Sequence, residues 1–262
     1  MKRKSVAVHP EHFPESLRHL ITTHKIYDSS CSQDARVWFL DGQEPLYLKS
    51  AASGSLQTEA ALTQYFYSKQ LSTEVLQYFT ADRDWLLTRA IPGEDCTFPK
   101  YCEDPKRLCD TTALLLRQLH EQSCKNCPVP DHSSNYLTRV CRNHQEEFCD
   151  LSLFPEKDWG FSSPEEAWSI VEAYGRYLKS DTLLHGDYCL PNILLNDWKF
   201  SGFIDVGRGG IGDRHVDIFW GVWTLFFNLK TNAFCSRFLD AYGRDRMEPE
   251  MLRLIAACEV FL

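Results

Sequence analysis

The chain has 262 residues, with 28 Lys and Arg against 36 Asp and Glu, a formal charge of −8. That length accommodates one or two domains with a full hydrophobic core, and 44% hydrophobic against 24% charged residues lies far from the composition of disordered chains. The acidity argues against a nucleic-acid partner, which needs a basic surface, and suits a cationic one.

The N-terminus starts with basic residues but meets Pro10 and Glu11 before any apolar segment, unlike a signal peptide. The densest apolar run, 218–227, is about half a membrane span. A cytoplasmic place with no membrane partner and no obligate protein partner is the expectation. Eleven cysteines, an odd count without an export signal, argue against a disulfide framework. Cys124 and Cys127 form a C-x-x-C with no second pair at zinc spacing and read as reduced loop thiols.

In chain order, 36–40 (RVWFL) and 46–49 (LYLK) are β-rich runs joined through Asp41-Gly42, a hairpin signal. The spacing turns helical over 56–70, returns to strand over 84–90, and breaks at Pro92-Gly93. A helix is predicted over 105–121, capped by Asp104 with Pro105 in its first position. Further helices are predicted over 164–178, 217–228 and from Pro249 onward. Two short strands, 193–195 and 203–204, flank a turn at Asn196-Asp197. The division is drawn after Ile91, giving a β-rich lobe 1–91 and a mainly helical lobe 92–262.

The strongest chemical signal is the run from His185 through Gly186, Asp187 and Asn192, followed by Asp205-Val206-Gly207. An Asp, an Asn five positions later, and a second Asp-x-Gly beyond a short hairpin have the spacing of a kinase catalytic loop and its metal-binding segment. The residue after the His is Gly, where protein kinases carry Arg. Phosphoryl transfer has a loose transition state, so the protein's task is to position the acceptor and offset phosphate charge. Asp187 is placed to orient the attacking hydroxyl and take its proton. Asn192 and Asp205 supply hard oxygen ligands to Mg²⁺. Two unrelated surface turns are the competing reading, and the order of both halves weighs against it.

Lys49 ends a strand and Glu59 follows inside the next helix, the arrangement by which kinase folds present an ammonium to phosphates. Alone, Lys49 is a solvated strand-end charge; the downstream motif reverses that reading. Tyr47 shares the strand face of Lys49 by period two, and is either an adenine stacker or an ordinary strand aromatic. His120, on an apolar helix face, reads as a satisfied buried histidine. His185 is expected to orient the catalytic loop and Asp217 to cap its helix.

The runs LYLK, LLTRAIPG, LRQLH, HGDYCLPN, FIDVGRGGIGDRHVDI and a C-terminal CEVF together resemble the aminoglycoside 3′-phosphotransferases over nearly the whole chain. The resemblance implies an α+β, two-lobed protein-kinase-like fold: an N-terminal antiparallel sheet with one helix, and a mainly helical C-terminal lobe with the catalytic hairpin. It implies transfer of the γ-phosphate of ATP, or another nucleoside triphosphate, with Mg²⁺, to a hydroxyl, the 3′ one, of an aminoglycoside antibiotic. On this resemblance Asp187 is the catalytic aspartate, Asn192 and Asp205 the metal ligands, and Lys49 with Glu59 the phosphate-positioning pair. Tyr47 falls at the stacking position, the backbone of Arg89 to Ile91 at the adenine edge, and Ser32 near the loop over the phosphates. The resemblance to kinase-like folds also implies that Asp217 braces the catalytic-loop backbone.

Substrate contacts are expected from Arg208, Glu259, the terminal Leu262, and Glu156 and Asp158. Arg208 is read as touching substrate or steadying acidic residues of the pocket, and equally suits a surface salt bridge; for Glu156 and Asp158 solvated loop charges are the stronger reading. Cys258 stands where the family has an acidic residue and Leu262 extends past the usual aromatic end, so the aminoglycoside spectrum is narrowed, shifted or lost. A kinase of another small cation or sugar, choline-like or fructosamine-like, and a non-catalytic nucleotide-binding scaffold are the alternatives.

Overall fold

The computed structural model describes residues 3–31, 33–152 and 160–262. Its first elements are β1 (Lys4–Ser5), α1 (Arg18–Thr23), β2 (Lys25–Asp28), β3 (Ala35–Asp41), β4 (Leu46–Ala51), α2 (Gln57–Ser68), β5 (Val75–Thr80), β6 (Asp84–Arg89) and β7 (Glu94–Asp95). There follow α3 (Pro99–Cys102), α4 (Pro105–His120), α5 (His132–Gln145), α6 (Pro164–Tyr174), β8 (Thr182–Leu184), β9 (Ile193–Asn196), β10 (Lys199–Phe203), β11 (Gly210–Gly212), α7 (His215–Leu229), α8 (Cys235–Tyr242) and α9 (Pro249–Glu259). They form two compact units, Met1–Cys96 with Pro191–Gly207, and Thr97–Leu190 with Arg208–Leu262.

This division differs from a single cut after Ile91. The hairpin β9–β10, expected in the second lobe, groups with the first unit because Glu94 and Asp95 of β7 pair with Leu195 and Leu194 of β9. The amide of Phe203 also donates to the carbonyl of Leu71 at 2.8 Å.

The first unit is built on a six-stranded antiparallel sheet in the order β1-β2-β3-β4-β6-β5. Side chains alternate along each strand, so Leu46 and Leu48 of β4 face one side and Tyr47 and Lys49 the other. On the first side Leu40, Leu46, Leu48, Trp85 and Leu87 bury themselves against Phe13, Leu17 and Ile21 from the segment ahead of β2. On the other side Leu56 and Ala60 at the start of α2 pack on Ala51 and Leu86. The turn between β9 and β10 is Asp197-Trp198, one residue later than expected. Both residues have positive φ, 49° and 67°, as the twist of a two-residue hairpin requires.

In the second unit α4 carries the predicted cap, Asp104 accepting the amide of Arg107 at 3.2 Å, and buries Leu108, Leu116 and Leu119. α4 and α9 each pack on α7, whose Val216, Ile218, Val222 and Leu225 are buried. α7 starts at His215, two residues before the predicted start. Among the described residues no helix is long and apolar enough to cross a membrane. The thiols of Cys124 and Cys127 donate to the carbonyls of Asp181 and Val129.

Candidate active site

In the first unit three predicted residues meet. The Lys49 ammonium donates to both carboxylate oxygens of Glu59, at 2.9 and 2.8 Å, and to Oδ1 of Asp205 at 2.8 Å. Burial disfavours the charged ammonium, but the carboxylates of Asp205 and Glu59 outweigh it and Lys49 ends with a raised pKa. Lys49 is therefore a fixed cation. Burial, with repulsion from Asp205, pushes the Glu59 carboxyl up against the pull of Lys49. Glu59 sits in the first turn of α2, where a carboxylate also meets the helix's free amides favourably.

A residue the sequence did not flag holds that helix in place. α2 has no side-chain cap of its own; the buried carboxylate of Asp84, from β6, accepts the amides of Gly54 at 2.9 Å and Leu56 at 2.8 Å. Thr80 and Tyr78 donate to the same carboxylate at 2.8 and 3.2 Å. Burial alone would raise the Asp84 pKa, and these four donors bring it below the usual value.

Asn192 and Asp205 stand at the open end of the β9–β10 hairpin, fastened together by the Ile204 amide donating to the Asn192 carbonyl at 3.0 Å. Asp205 has φ +56°, a left-handed conformation that its surroundings impose on a non-glycine residue. A Cβ at Gly207 would lie 2.9 Å from the Glu59 Cβ, so glycine lets this segment lie against α2. Among the described residues no three His, Cys, Asp or Glu side chains are grouped to hold a metal ion. The amide and carboxylate oxygens of Asn192 and Asp205 fit an ion that takes its remaining ligands from water and phosphate, as Mg²⁺ does.

Tyr47 lies on the same sheet face as Lys49, in contact with Phe39, ring centroids 5.1 Å apart. Arg89 is a weaker adenine contact than expected, because its amide donates to Glu74 and its carbonyl accepts from Thr73. The Ala90 amide donates to Pro45. The Ala90 carbonyl and the Ile91 amide are what this stretch offers an adenine edge. Ser32, Glu156 and Asp158 lie outside the described residues.

In the second unit, Asp187 follows a loop braced from α7. The Asp217 carboxylate accepts the amides of His185 at 2.7 Å and Gly186 at 2.8 Å. It also accepts from Nε2 of His120 at 3.2 Å, while Tyr242 donates to Nδ1 of that ring at 2.8 Å. Asp217 is the third residue of α7 and makes no cap, so of its two expected roles only the brace is present. His185 accepts the Asp187 amide at Nδ1, 3.3 Å away, which orients the loop from within.

Glu259 is buried in the second unit, and its Oε1 accepts from the Tyr136 hydroxyl at 2.8 Å and from Trp220 Nε1 at 3.2 Å. Burial raises its pKa, against Tyr136 and the nearby charges of Arg139 and Arg208. Of the roles open to Arg208, steadying an acidic residue has support here, since its charge acts on the Glu259 carboxyl. Cys258 is fully buried, so this position does not face solvent. Leu262 is half-buried, its amide donating to the Glu259 carbonyl at 3.2 Å. Asp213, also buried, is used by the amides of Lys179 and His215 and by the His215 ring.

A sheet-borne lysine paired to a helix glutamate, an Asp-x-Gly after a hairpin, and a braced His-Gly-Asp loop define a phosphotransferase of protein-kinase-like fold. The family model described as "Phosphotransferase enzyme family" matches residues 27–253. A probable aminoglycoside 3′-phosphotransferase of Lactococcus lactis is 45% identical over 259 residues, 98% of each chain. The aminoglycoside 3′-phosphotransferase of Niallia circulans is 27% identical over 83% of this chain and 84% of its own. The crystal structure of an aminoglycoside 3′-phosphotransferase of type VIII has the same fold, with a TM-score of 0.74 at 24% identity over 96% of each chain. This chain belongs to the phosphotransferase enzyme family.

Proposed function

We propose that the enzyme transfers the γ-phosphate of ATP to a hydroxyl, the 3′ one, of an aminoglycoside antibiotic, and so gives resistance. The cluster of Lys49, Glu59 and Asp205 carries the phosphotransfer; the L. lactis relative carries the substrate class. Use of ATP as the donor supports a cytoplasmic enzyme.

Lys49, kept charged and aimed by Glu59, binds the α- and β-phosphate oxygens. Asn192 and Asp205 would hold Mg²⁺, which would supply positive charge to offset the phosphates. The Ala90 carbonyl and Ile91 amide bind the adenine edge, and Tyr47 stacks on its face. Asp187 accepts a hydrogen bond from the acceptor hydroxyl, orients it in line, and takes its proton late in the transfer. The Asp217 brace and the His185 ring hold Asp187 to that geometry. Arg208, Glu259 and Leu262 belong to the acceptor end, where Glu259 acts by fixing Tyr136 and Trp220.

The test is ADP release with and without a panel of distinct aminoglycosides, with the phosphorylated position mapped by NMR. Stimulation by aminoglycosides and phosphate on the 3′-oxygen are expected. ADP release that no aminoglycoside stimulates refutes the proposal.

A further inference from the structure

The helix α7 has two apolar sides. Ile218, Val222 and Leu225 are buried on one side and make up its share of the core, while Val216, buried as well, begins the other side. Trp220, Trp223 and Phe227 follow at i, i+3 and i+7, a second stripe that points away from that core. Trp220 and Trp223 are half-buried and Phe227 is 49% exposed. Their rings are mutually ordered: Trp220 meets Trp223 edge to face at 5.2 Å, and Trp223 stacks on Phe227 at 4.8 Å with 11° between planes. A run of partly exposed, mutually stacked aromatic rings ending in the exposed Phe227 marks an interaction site.

Two contacts indicate the ligand. The Lys230 ammonium lies 4.2 Å from the Phe227 ring centroid, so the stack already takes an alkylammonium on its face. At the other end Trp220 donates to Glu259, which joins the stripe to the acceptor end assigned above. The chain carries a net charge of −8, complementary to a polycation. A ligand with flat C–H faces and protonated amines satisfies the indoles and the phenyl ring together.

We infer that Trp220, Trp223 and Phe227 form a platform for one amino-sugar ring of the acceptor, its C–H face on the indole and an ammonium over the aromatic face in place of Lys230. This rests on the reading of the enzyme as an aminoglycoside phosphotransferase, and adds residues that select the acceptor.

Trp223→Ala, Phe227→Ala and the conservative Trp223→Phe test it, through steady-state kinetics with kanamycin and neomycin and calorimetric titration of kanamycin. Each alanine variant is expected to raise the aminoglycoside KM and Kd about tenfold, while Trp223→Phe recovers most of the loss. The KM for ATP stays at the wild-type value in every variant. Unchanged aminoglycoside constants in both alanine variants overturn the platform and leave the proposed function standing. A wild-type enzyme that no aminoglycoside stimulates overturns the function itself. Sedimentation showing a wild-type dimer that Trp223→Ala dissociates assigns the stripe to a second copy of the chain, and also overturns the platform.

Discussion

Gly186, where protein kinases carry Arg, has a backbone reason in this chain. A Cβ there would lie 2.0 Å from the Arg208 carbonyl oxygen, and the residue sits at φ +82°, which side chains rarely adopt. Gly186→Ala is expected to lose more than about 1 kcal/mol from the left-handed backbone alone, and more from the clash. A lowered melting temperature with a parallel loss of turnover checks it; a wild-type melt would show that the loop adapts. On the proposed mechanism, Asp187→Asn removes the hydroxyl's acceptor and base without touching the Lys49 cluster. Its kcat should fall by roughly 10² to 10⁴ while nucleotide affinity measured by titration is retained. The meeting of Lys49, Glu59 and Asp205 was legible because the chemistry of such a site dictates residue type and spacing along the chain. Asp84 and Tyr136 were not, because each acts on a partner distant in sequence, Leu56 and Glu259, and no local pattern records that.

Among the elements, α2 matters most, since its orientation sets Glu59 and hence Lys49. Asp84→Ala leaves the Gly54 and Leu56 amides without their acceptor, a cost on the order of 3 kcal/mol for two donors, one of them buried. Because those amides fix the start of α2, the ATP KM should rise as well. Asp84→Asn, which keeps one acceptor oxygen, should recover part of both losses. Disruption of the exposed Arg237–Asp110 pair by Asp110→Ala is the control, with ATP KM unchanged. An Asp84→Ala enzyme with wild-type ATP KM would disconnect the cap from Lys49. The central strands β3, β4 and β6 were legible from their alternation and turn signals. β5, at the sheet edge, has no fully buried residue and so shows no strong apolar period, while α5 buries only Ser133, Tyr136 and Val140. The Asp131 cap of α5, accepting the Ser134 amide at 3.2 Å, was the available signal for that helix.

For the whole molecule, the buried titratable groups set the acid limit of stability. Burial drives the His120 pKa below its ordinary value of 6.5 despite the Asp217 carboxylate beside it, and burial does the same for His132. Below pH 6.5 the unfolded chain takes up protons at these rings that the folded chain refuses. The unfolded state therefore binds more protons, and stability present above pH 6.5 is lost as pH falls toward the folded values. Each ring contributes up to about 1.4 kcal/mol per pH unit in that window. Asp84, Asp213 and Asp217 are depressed below 3.8, so the stability they contribute is present above that pH and is lost only in stronger acid. Glu259, raised above 4.5, acts with the opposite sign and moderates the decline. Urea midpoints at pH 7, 6 and 5 should fall for the wild type at constant m. His120→Gln should start lower at pH 7, because Asp217 and Tyr242 lose their shared partner, and then decline about half as steeply. An undiminished slope in His120→Gln would mean that this ring takes up its proton in the folded enzyme, and that the brace beneath Asp187 tolerates a second charge.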